Sequence, residues 1–262
     1  MKSLTKFYKT FVYQYKKKID LDKIAIKSSS LNSLFNYYET DKGSKDVSPY
    51  SKIKNGEKVK GHAFAKFYEK YFKNLKKKRI NILEIGVWEG ASTASFYHYF
   101  EKAELFAIDR NFKFKYCSKR INFFFCDTTS LKDLSKFKNY VELKKNISFD
   151  IIIDDGSHIF SNILKNLSYF FNYLKAGGIY VIEDYKHPSY FSYLQDIKGH
   201  ISIDKVLFLL KKNIIFKSKI LSRNKIRHLI KNIKKIFTHK GNCIKNGKNI
   251  SDIAFIYKKN WI

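Results

Sequence analysis

Short apolar runs alternate with amphipathic segments from Arg79 onward, and this alternation is the main structural signal of the chain. Such runs are typical of strands that are buried on both faces, and the segments between them have the length and pattern of helices. The pattern predicts βαβ units and therefore a parallel sheet that is covered by helices. The predicted strands are ILEIG at 82–86, LFAID at 105–109, INFFFC at 121–126, FDIIID at 149–154 and GIYVI at 178–182.

Acidic residues stand at or just after the ends of these predicted strands. In open α/β sheets, ligands bind outside the carboxyl ends of the strands, where the strand order reverses. We therefore expect one cleft along this edge of the sheet. The residues expected to converge there are Glu84, Asp109, Asp127, Asp154, Asp155, Glu183 and Asp184.

The segment NILEIGVWEGAS at 81–92 predicts a strand, a tight turn and the start of a helix. Gly86 and Gly90 would let the backbone turn sharply and approach a ligand, and the free N–H groups of the helix that opens at Ala91 would face the same place. The spacing is G-x-x-x-G, whereas a dinucleotide fold prefers G-x-G-x-x-G. A plain strand, turn and helix without a ligand is the alternative for this segment.

The residues before the sheet predict a helical extension that covers the cleft. Apolar residues recur at spacings of three and four from Leu4 to Tyr15, which indicates an amphipathic helix packed on the body or on another subunit of a homo-oligomer. A polar, turn-rich stretch follows from Ser28 to Gly61 and is interpreted as a flexible connection or flap. A helical pattern resumes from Phe64 to Leu75.

The pattern beyond residue 199 is weaker. Lys205–Leu210 and Ile214–Lys219 predict a hairpin, and Asp252–Lys258 predicts a further strand. Between them, Arg223–Phe237 predicts a basic amphipathic helix with Ser222 as its N-cap, which would lie on an anionic membrane surface or pack on its own protein. The chain is thus divided into a helical extension over 1–78, a core over 79–220 and a basic helix with a final strand over 221–262.

The net charge is +29, from 52 Lys and Arg against 23 Asp and Glu. This excess favours acidic partners such as nucleotides, phosphosugars, nucleic acid or an anionic membrane face, although a bias toward A/T-rich codons would also raise it. Cys117, Cys126 and Cys243 lack C-x-x-C spacing and indicate reduced thiols. No apolar run approaches the ~20 residues that span a bilayer. We therefore expect a cytoplasmic protein, peripheral at the inner membrane face if the basic helix binds lipid.

Residues 79–185 resemble the class I S-adenosylmethionine-dependent methyltransferases. Asp109 follows the second strand about twenty residues after the glycine turn, where an acid can accept both hydroxyls of a ribose. The resemblance implies an α/β fold with a Rossmann-like, mostly parallel sheet of seven strands and a helical N-terminal extension. It also implies that Glu84 and Gly86, with Gly90, lie at the methionine part of the cofactor and that Asp109 binds its ribose.

The acid after the third strand meets the adenine amino group in that family. Asp127 takes this position here, with Thr128 beside it. The alternative is that both residues only cap the helix that contains LKDL, because Asp and Thr are common at helix N-termini.

Four further segments are similar to the metal-assisted sugar O-methyltransferases of the macrocin and mycinamicin type. The most specific is DDGSH at 154–158, followed by GGIYVIEDY at 177–185, and two earlier segments are TDKG at 40–43 and GHAFAKFYEKYF at 61–72. A looser similarity connects the chain with rhamnosyl methyltransferases of the cephalosporin-hydroxylase type. An insert, 44–61, separates the two earlier segments and departs from the family's spacing.

This resemblance implies a divalent cation, Mg or Mn, held by Asp155, Glu183 and Asp184. His158 would be the catalytic base beside Asp155, because a bound cation lowers the pKa of a sugar hydroxyl and an imidazole can then take its proton. It also implies cofactor contacts for two further residues, His62 and Asp154.

Other interpretations of these residues remain open. Asp154 or Asp155 would cap the helix that begins at Phe160, with His158 as a packed side chain. His187 and His200 have no partner pattern and are predicted to be ordinary surface residues.

The predicted reaction is methyl transfer from S-adenosylmethionine to a sugar hydroxyl, with a nucleotide-linked sugar for a capsule or other surface glycan as the expected acceptor. One rival is a nucleic-acid methyltransferase, which the charge favours. The base-methylating members carry an Asn/Asp-Pro-Pro-aromatic turn after the fourth strand, and DDGSH stands there instead, so nucleic acid is disfavoured. The other rival is a non-catalytic membrane-surface or scaffold protein with a vestigial cofactor site.

Overall fold

The structure is a computed structural model that describes residues 12–13, 15–26, 30–47, 60–144, 146–245 and 247–260. Its strands are β1 (Ile19–Asp20), β2 (Asn81–Ile85), β3 (Glu104–Asp109), β4 (Tyr116–Cys117), β5 (Ile121–Phe125), β6 (Phe149–Asp154), β7 (Leu174–Glu183), β8 (Ile233–Lys240), β9 (Ile244–Lys245), β10 (Lys248–Asn249) and β11 (Asp252–Lys258). Its helices are α1 (Leu31–Tyr37), α2 (Ala65–Phe72), α3 (Ala91–Tyr99), α4 (Leu131–Lys138), α5 (Phe160–Phe170), α6 (His187–Tyr190), α7 (Ile203–Lys211) and α8 (Arg223–Asn232).

Seven strands form the central sheet, in the order β5-β3-β2-β6-β7-β11-β8. The first five of these are mutually parallel, and β11 runs antiparallel to both of its neighbours. This confirms the predicted Rossmann-like, mostly parallel sheet. The chain moves from β2 outward to β3 and β5 and then returns to β6 on the other side of β2. A crevice therefore opens at the carboxyl ends of β2 and β6, where ligands bind in such sheets.

The sheet is buried on both faces, as its apolar runs require. Along β6, the Ile152 side chain packs into one hydrophobic cluster, while Ile151 and Ile153 pack into another. Successive side chains of a strand point to opposite faces, so the first cluster lies between the sheet and α5, α7 and α8, and the second between the sheet and α1, α2 and α3. All three isoleucines are fully buried. The buried apolar residues of the strands are therefore divided between two cores.

The described part of the N-terminal extension packs against the second cluster. The side chains of Leu31, Leu34 and Phe35 on α1 are fully buried, and Ser30 caps this helix by accepting a bond from the Ser33 N–H. The predicted helix from Phe64 is present as α2 and a short 3-10 segment after it. The apolar residues from Leu4 to Phe11 and the part of the insert at 48–59 lie outside the described residues.

The hairpin predicted over 205–219 is wrong, because its first half is helix α7. Val206, Leu207 and Leu210 are buried, a spacing that fits one face of a helix. The helix ends at Lys211, and Asn213 adopts a positive φ of 57°. Helices commonly end with a residue in this left-handed conformation, which asparagine tolerates. The sequence Lys-Lys-Asn therefore ends a helix and does not connect two strands.

The basic helix predicted over 223–237 is also wrong in its last part, 233–237. The predicted Ser222 cap is present, but α8 ends at Asn232 and the chain continues as β8. Ile236 and Phe237 pair with Ile256 and Phe255 of β11, so they belong to the sheet. A spacing of three between Ile233 and Ile236 fits a helix locally. In the structure, however, both residues pair with β11, and this non-local pairing decides for a strand.

The last two strands of the sheet thus come from the segment over 221–262, and the division of the chain at residues 78 and 220 stays a prediction. Among the described residues, no helix combines the length and apolar character needed to cross a membrane.

Candidate active site

A cavity of about 770 Å³ opens at the carboxyl ends of the parallel strands. Segments from several elements meet there because β2, β3, β5, β6 and β7 all end at this edge. The structure brings together nine of the predicted residues as lining of this cavity, namely His62, Gly86, Asp109, Asp127, Thr128, Asp155, His158, Glu183 and Asp184. Glu84, Gly90 and Asp154 do not line it.

The glycine turn after β2 forms the floor of the cavity. Gly86 has a φ of +85°, and a Cβ on it would lie 2.1 Å from the carbonyl oxygen of Asp155. Any side chain there would push the end of β2 away from the loop that follows β6. Gly90 has a φ of +92°, and its Cβ would collide with the Phe114 ring at 2.4 Å. Glycine is therefore required at both positions, but Gly90 shapes the start of α3 and does not contact the cavity.

Glu84 lies behind the glycine turn and not in the cavity. It is buried, and it accepts hydrogen bonds from the hydroxyl of Ser92 and, at 2.5 Å, from that of Thr93, both in the first turn of α3. Burial raises its pKa above the usual range. Its contacts tie β2 to α3, so it supports the turn instead of reaching a ligand directly.

Asp109 at the end of β3 organises the neighbouring backbone. Its Oδ2 accepts a hydrogen bond from the Trp88 N–H at 2.8 Å, and its Oδ1 accepts one from the Asn111 N–H at 2.7 Å. The side chain is buried yet lines the cavity. Each carboxylate oxygen can accept more than one bond, so this geometry leaves capacity for a ligand hydroxyl.

Asp127 lies on the same wall, after β5. Its Oδ1 accepts bonds from the Thr129 N–H at 2.9 Å and hydroxyl at 2.7 Å. The N-cap of α4 is Ser130, so Asp127 shapes the turn before the helix and is not its cap. Thr128 lines the cavity next to it.

Asp154 is separated from the cavity although it ends β6. Its carboxylate accepts hydrogen bonds from Asn166 Nδ2 and from the Tyr180 hydroxyl, both at 3.2 Å. Burial raises the pKa of Asp154 to about 7. The N-cap of α5 is Ile159, which has no side-chain cap, so neither Asp154 nor Asp155 caps this helix.

Lys42 of the TDKG segment is the most important residue that the sequence interpretation did not assign. It is 2% exposed, and its ammonium donates to Asp155 Oδ2 and, at 2.7 Å, to Glu183 Oε2. The Tyr68 hydroxyl donates to the other carboxylate oxygen of Glu183. The TDKG resemblance was the available signal, but the sequence did not show that this lysine reaches two strand ends more than a hundred positions away.

The charges around Lys42 depend on one another. Burial disfavours the ammonium, but Asp155 and Glu183 outweigh this effect and raise the pKa of Lys42, which stays protonated. Burial raises the pKa of Asp155 to about 7 and that of Glu183 to about 8, against the opposing effect of the shared lysine. Two of the three predicted metal ligands are thus paired with a cation of the protein itself.

Asp184 is surrounded by imidazoles. Its Oδ1 lies 3.3 Å from His62 Nδ1 and 3.6 Å from His187 Nε2. Burial disfavours the carboxylate of Asp184. The nearby imidazoles outweigh this effect and hold the pKa of Asp184 well below its usual range, His62 most strongly, then His187 and His158. Burial likewise disfavours protonation of His62, yet Asp184 raises the pKa of His62 to about 9.

His158 and His187 meet at the mouth of this cluster. Their ring centroids are 5.1 Å apart, and His158 Nε2 lies 3.5 Å from Asp155 Oδ1. Burial lowers the pKa of both imidazoles. The prediction that His187 is an ordinary surface residue is therefore wrong. His200 lies outside the cavity, where it bonds the Ser218 hydroxyl at 2.9 Å.

Two overlapping sets of donor atoms could hold a cation. The predicted set is Asp155, Glu183 and Asp184, and a second set of His158, Asp184 and His187 has donor atoms within 4.8 Å of one another. Asp184 is common to both sets. Its Oδ1 is buried, and among the described residues its contacts are the ion pairs with His62 and His187, so a cation bound there would share this oxygen with the imidazoles.

Comparison with known proteins agrees with the fold. Residues 83–185 match the family described as methyltransferase domain. The matched part, which is less than half of the chain, is similar to a methyltransferase domain. The match begins in β2 and ends just beyond β7, so it includes the five strand ends at this edge of the sheet.

The domain is similar to curated sugar methyltransferases. Demethylmacrocin O-methyltransferase of Streptomyces fradiae is 30% identical over 131 residues, which cover 47% of this chain and 32% of that protein. Mycinamicin VI 2''-O-methyltransferase of Micromonospora griseorubida is 28% identical over 130 residues, 47% of this chain and 31% of that protein. The match thus spans about a third of the length of these relatives.

A solved structure shares the fold. It is MycE methyltransferase from the mycinamycin biosynthetic pathway, solved in complex with Mg, SAH and mycinamycin VI. It superposes with a TM-score of 0.63 at 20% identity and covers 89% of this chain and 56% of its own chain. The class I methyltransferase fold predicted from the sequence is therefore confirmed.

Proposed function

We propose that the chain is an S-adenosylmethionine-dependent O-methyltransferase that acts on a sugar hydroxyl. The observation that supports this most directly is that His158, Asp155 and Asp184 line the same cavity as Gly86 and Asp109. A base and two acids therefore lie next to the turn that would hold the cofactor. The curated relatives are named as O-methyltransferases of demethylmacrocin, of mycinamicin VI and of a rhamnosyl tetracenomycin.

The cofactor would occupy the side of the cavity formed by β2, β3 and β5. S-Adenosylmethionine supplies an electrophilic methyl group. The Gly86 turn leaves room for its methionine part, Asp109 would accept the ribose hydroxyls, and Asp127 with Thr128 would face the adenine. His62, which the resemblance implies as a further cofactor contact, also lines the cavity, and its bond to Ser251 at 2.9 Å fixes the ring. Glu84 and Gly90 would act indirectly, by supporting the turn and the start of α3.

A divalent cation, Mg or Mn, would lower the pKa of the acceptor hydroxyl when bound. We propose Asp155 and Asp184 as its main ligands, because Asp184 Oδ1 contacts only the imidazoles of His62 and His187 among the described residues and Asp155 Oδ1 faces His158. Glu183, the third predicted ligand, bonds Lys42 and Tyr68 with its two oxygens. Its place among the ligands depends on the release of one of these contacts.

His158 would accept the proton of the acceptor hydroxyl. Burial lowers its pKa, so the imidazole is neutral near pH 7 and its Nε2 can act as a base. This nitrogen lies 3.5 Å from Asp155 Oδ1 and is therefore beside the proposed cation ligands. A hydroxyl held between the two would lose its proton as the methyl group is transferred.

The acceptor side of the cavity favours a sugar that carries phosphate. Phe191 and Tyr193 line it with ring centroids 5.9 Å apart, and Lys245 Nζ lies 5.3 Å from the Phe191 centroid. Lys60 also lines the cavity. Aromatic faces suit the C–H surface of a sugar, and lysines suit phosphate oxygens. We therefore propose a nucleotide-linked sugar as acceptor, for a capsule or other surface glycan.

The test is methyl transfer from labelled S-adenosylmethionine to a panel of nucleotide-linked hexoses and deoxyhexoses, with the free sugars and a short RNA as comparisons. We expect transfer to one or more nucleotide-linked sugars, loss of transfer in a chelator, and unchanged binding of S-adenosylhomocysteine in that chelator. Transfer to the RNA alone would favour the nucleic-acid rival. Absence of cofactor binding would contradict the proposal altogether. A cytoplasmic location and a homo-oligomer stay predictions.

A further inference from the structure

The segment Lys205–Lys219, which includes the end of α7 and the loop after it, exposes large apolar side chains. Phe208 is 47% exposed, and Ile214 and Ile215 are each 46% exposed. Single exposed apolar residues are common, but three within eight positions form a local cluster. This cluster lies outside the proposed active site, because none of its three residues lines the cavity.

Lysines surround these apolar side chains. The segment contains five lysines, at 205, 211, 212, 217 and 219, and no acidic residue stands between Asp204 and Asp252. Within the described part of the chain, no ion pair joins the lysines of this segment to a carboxylate. Lys205 Nζ lies 5.0 Å from the centroid of the Phe208 ring. The segment therefore combines exposed apolar surface with uncompensated positive charge.

The fold holds this segment in place before any partner arrives. The Ile214 N–H donates to the carbonyl of Leu209 at 2.9 Å, which closes the end of α7 around the left-handed Asn213. The Ser218 hydroxyl accepts bonds from the N–H groups of Ile220 at 3.1 Å and Leu221 at 3.0 Å. The loop is thus an ordered turn, and binding would lose little conformational entropy in ordering it.

We propose that the Lys205–Lys219 segment is a docking surface for an anionic phospholipid membrane. Isoleucine and phenylalanine side chains would enter the boundary between head groups and acyl chains, while the lysines would contact the lipid phosphates. Helix α8, the element that the sequence favoured for this role, is unsuited because Ile226 and Leu229 on its apolar face are buried in the core.

Charge and chemistry distinguish this partner from two others. A second copy of the chain would bring another strongly positive surface, which repels the first. A nucleic acid would satisfy the lysines, but isoleucine side chains gain nothing from phosphates and do not stack on bases as aromatic rings do. Of these three partners, only an anionic bilayer offers both phosphate and hydrocarbon to the same patch.

The test is sedimentation of the full chain with sucrose-loaded vesicles of phosphatidylcholine alone or with about a third phosphatidylglycerol. We expect binding to the mixed vesicles only, and a steep loss as the salt is raised from about 0.05 to about 0.5 M. Replacing both isoleucines, Ile214→Ser with Ile215→Ser, should weaken binding at least roughly tenfold. The double change Lys211→Gln with Lys212→Gln should weaken it by about fivefold per lysine.

A matched control is available on α4, where Leu131 is 82% exposed and is followed by Lys132. The double change Leu131→Ser with Lys132→Gln should leave vesicle binding unchanged. Circular dichroism and thermal midpoints will show that every variant is folded. Tryptophan fluorescence of the Ile215→Trp variant provides a second measurement. The emission should shift to shorter wavelength when mixed vesicles are added, and brominated lipid should quench it.

The proposal is overturned if neutral vesicles bind as well as anionic ones, or if the isoleucine variant binds like the wild type. It is also overturned if a single-stranded oligonucleotide binds more tightly than the vesicles and does so equally in that variant. None of these outcomes depends on methyl transfer, so the failure of this proposal is distinct from the failure of the proposed function.

Discussion

The ammonium of Lys42 lies 2.7 Å from Glu183 Oε2, and both side chains are 2% exposed. The same ammonium bonds Asp155, so one lysine from the N-terminal extension connects the ends of β6 and β7. A buried ion pair of this kind contributes little compared with a well-packed apolar pair, but removal of one partner leaves a buried charge without compensation. The N-terminal extension is thereby tied to the floor of the proposed active site.

Lys42→Met is expected to lower the free energy of unfolding by about 3 to 5 kcal/mol, because Asp155 and Glu183 lose their shared cation inside the protein. Urea denaturation will measure this change. The matched control is Lys175→Met. Lys175 lies 2.8 Å from Asp150 Oδ2 in a pair whose lysine is 38% exposed, so this change should cost about 1 kcal/mol or less.

Magnesium provides a second measurement on the same variant. If Asp155 helps to hold a divalent cation, removal of Lys42 leaves more negative charge for it, and Mg²⁺ should raise the thermal midpoint more in Lys42→Met than in the wild type. Equal midpoints with and without Mg²⁺ in both proteins would show that these carboxylates do not bind the ion.

Asp109→Ala is expected to weaken the binding of S-adenosylhomocysteine by about 1.5 to 3 kcal/mol, because the ribose hydroxyls lose a charged acceptor. Calorimetry will measure the affinity. Asp150→Ala is the control, since Asp150 accepts a bond from the Asn81 N–H at the opposite end of the sheet. Equal affinities of Asp109→Ala and the wild type would contradict the assignment of the ribose site.

His158→Ala is expected to lower turnover by roughly 10²- to 10⁴-fold, the range for the loss of a general base. Cofactor affinity should change little, because the imidazole lies on the acceptor side. His228→Ala on α8 is the control, because this histidine is exposed and does not line the cavity. Turnover of His158→Ala close to that of the wild type would mean that the DDGSH segment has only a structural role.

His98 predicts how stability depends on pH. Burial and then the charge of Arg120 lower the pKa of His98, whose ring stacks on Tyr38 at 5.8 Å. The folded pKa is therefore below the unfolded value of about 6.5, so the unfolded chain binds more protons at acid pH. The stability contributed by the neutral imidazole is present above about pH 6.5 and is lost as the pH falls toward the folded pKa.

Urea midpoints of the wild type and of His98→Phe between about pH 7.5 and pH 5.5 will measure this effect. The loss of stability on acidification should be smaller in the variant, which has no imidazole to protonate at this position. The same slope in both proteins would show that His98 is not responsible.

The glycine turn and the strand ends could be predicted from the sequence because their signals are local. Gly86 and Asp109 follow buried strands directly, and the register of a parallel sheet places such positions along one edge. Glu84 and Asp154 show the limit of this argument. Both belong to strand ends, but their side chains point into the protein, where Thr93 and Asn166 bond them.

The C-terminal part shows a different limit. Val206 and Leu207 fit a strand as well as a helix over such a short segment, and only packing against the first hydrophobic cluster decides for α7. Ile236 is likewise part of a strand because it pairs with Ile256 of β11, which lies far from it in the sequence. Short apolar segments are ambiguous because their hydrogen-bonding partners are not local.

The sequence by itself determined the class of fold, the edge of the sheet that carries the site, and nine of the residues that line the cavity. These follow from apolar runs and turn residues, whose effects act over a few positions. Only the tertiary structure decided that Lys42 neutralises Asp155 and Glu183, and that His187 joins His158 and Asp184. Packing brings these side chains together from distant segments of the chain. The charge and pKa of each residue depend on its neighbours in space, which no local pattern encodes.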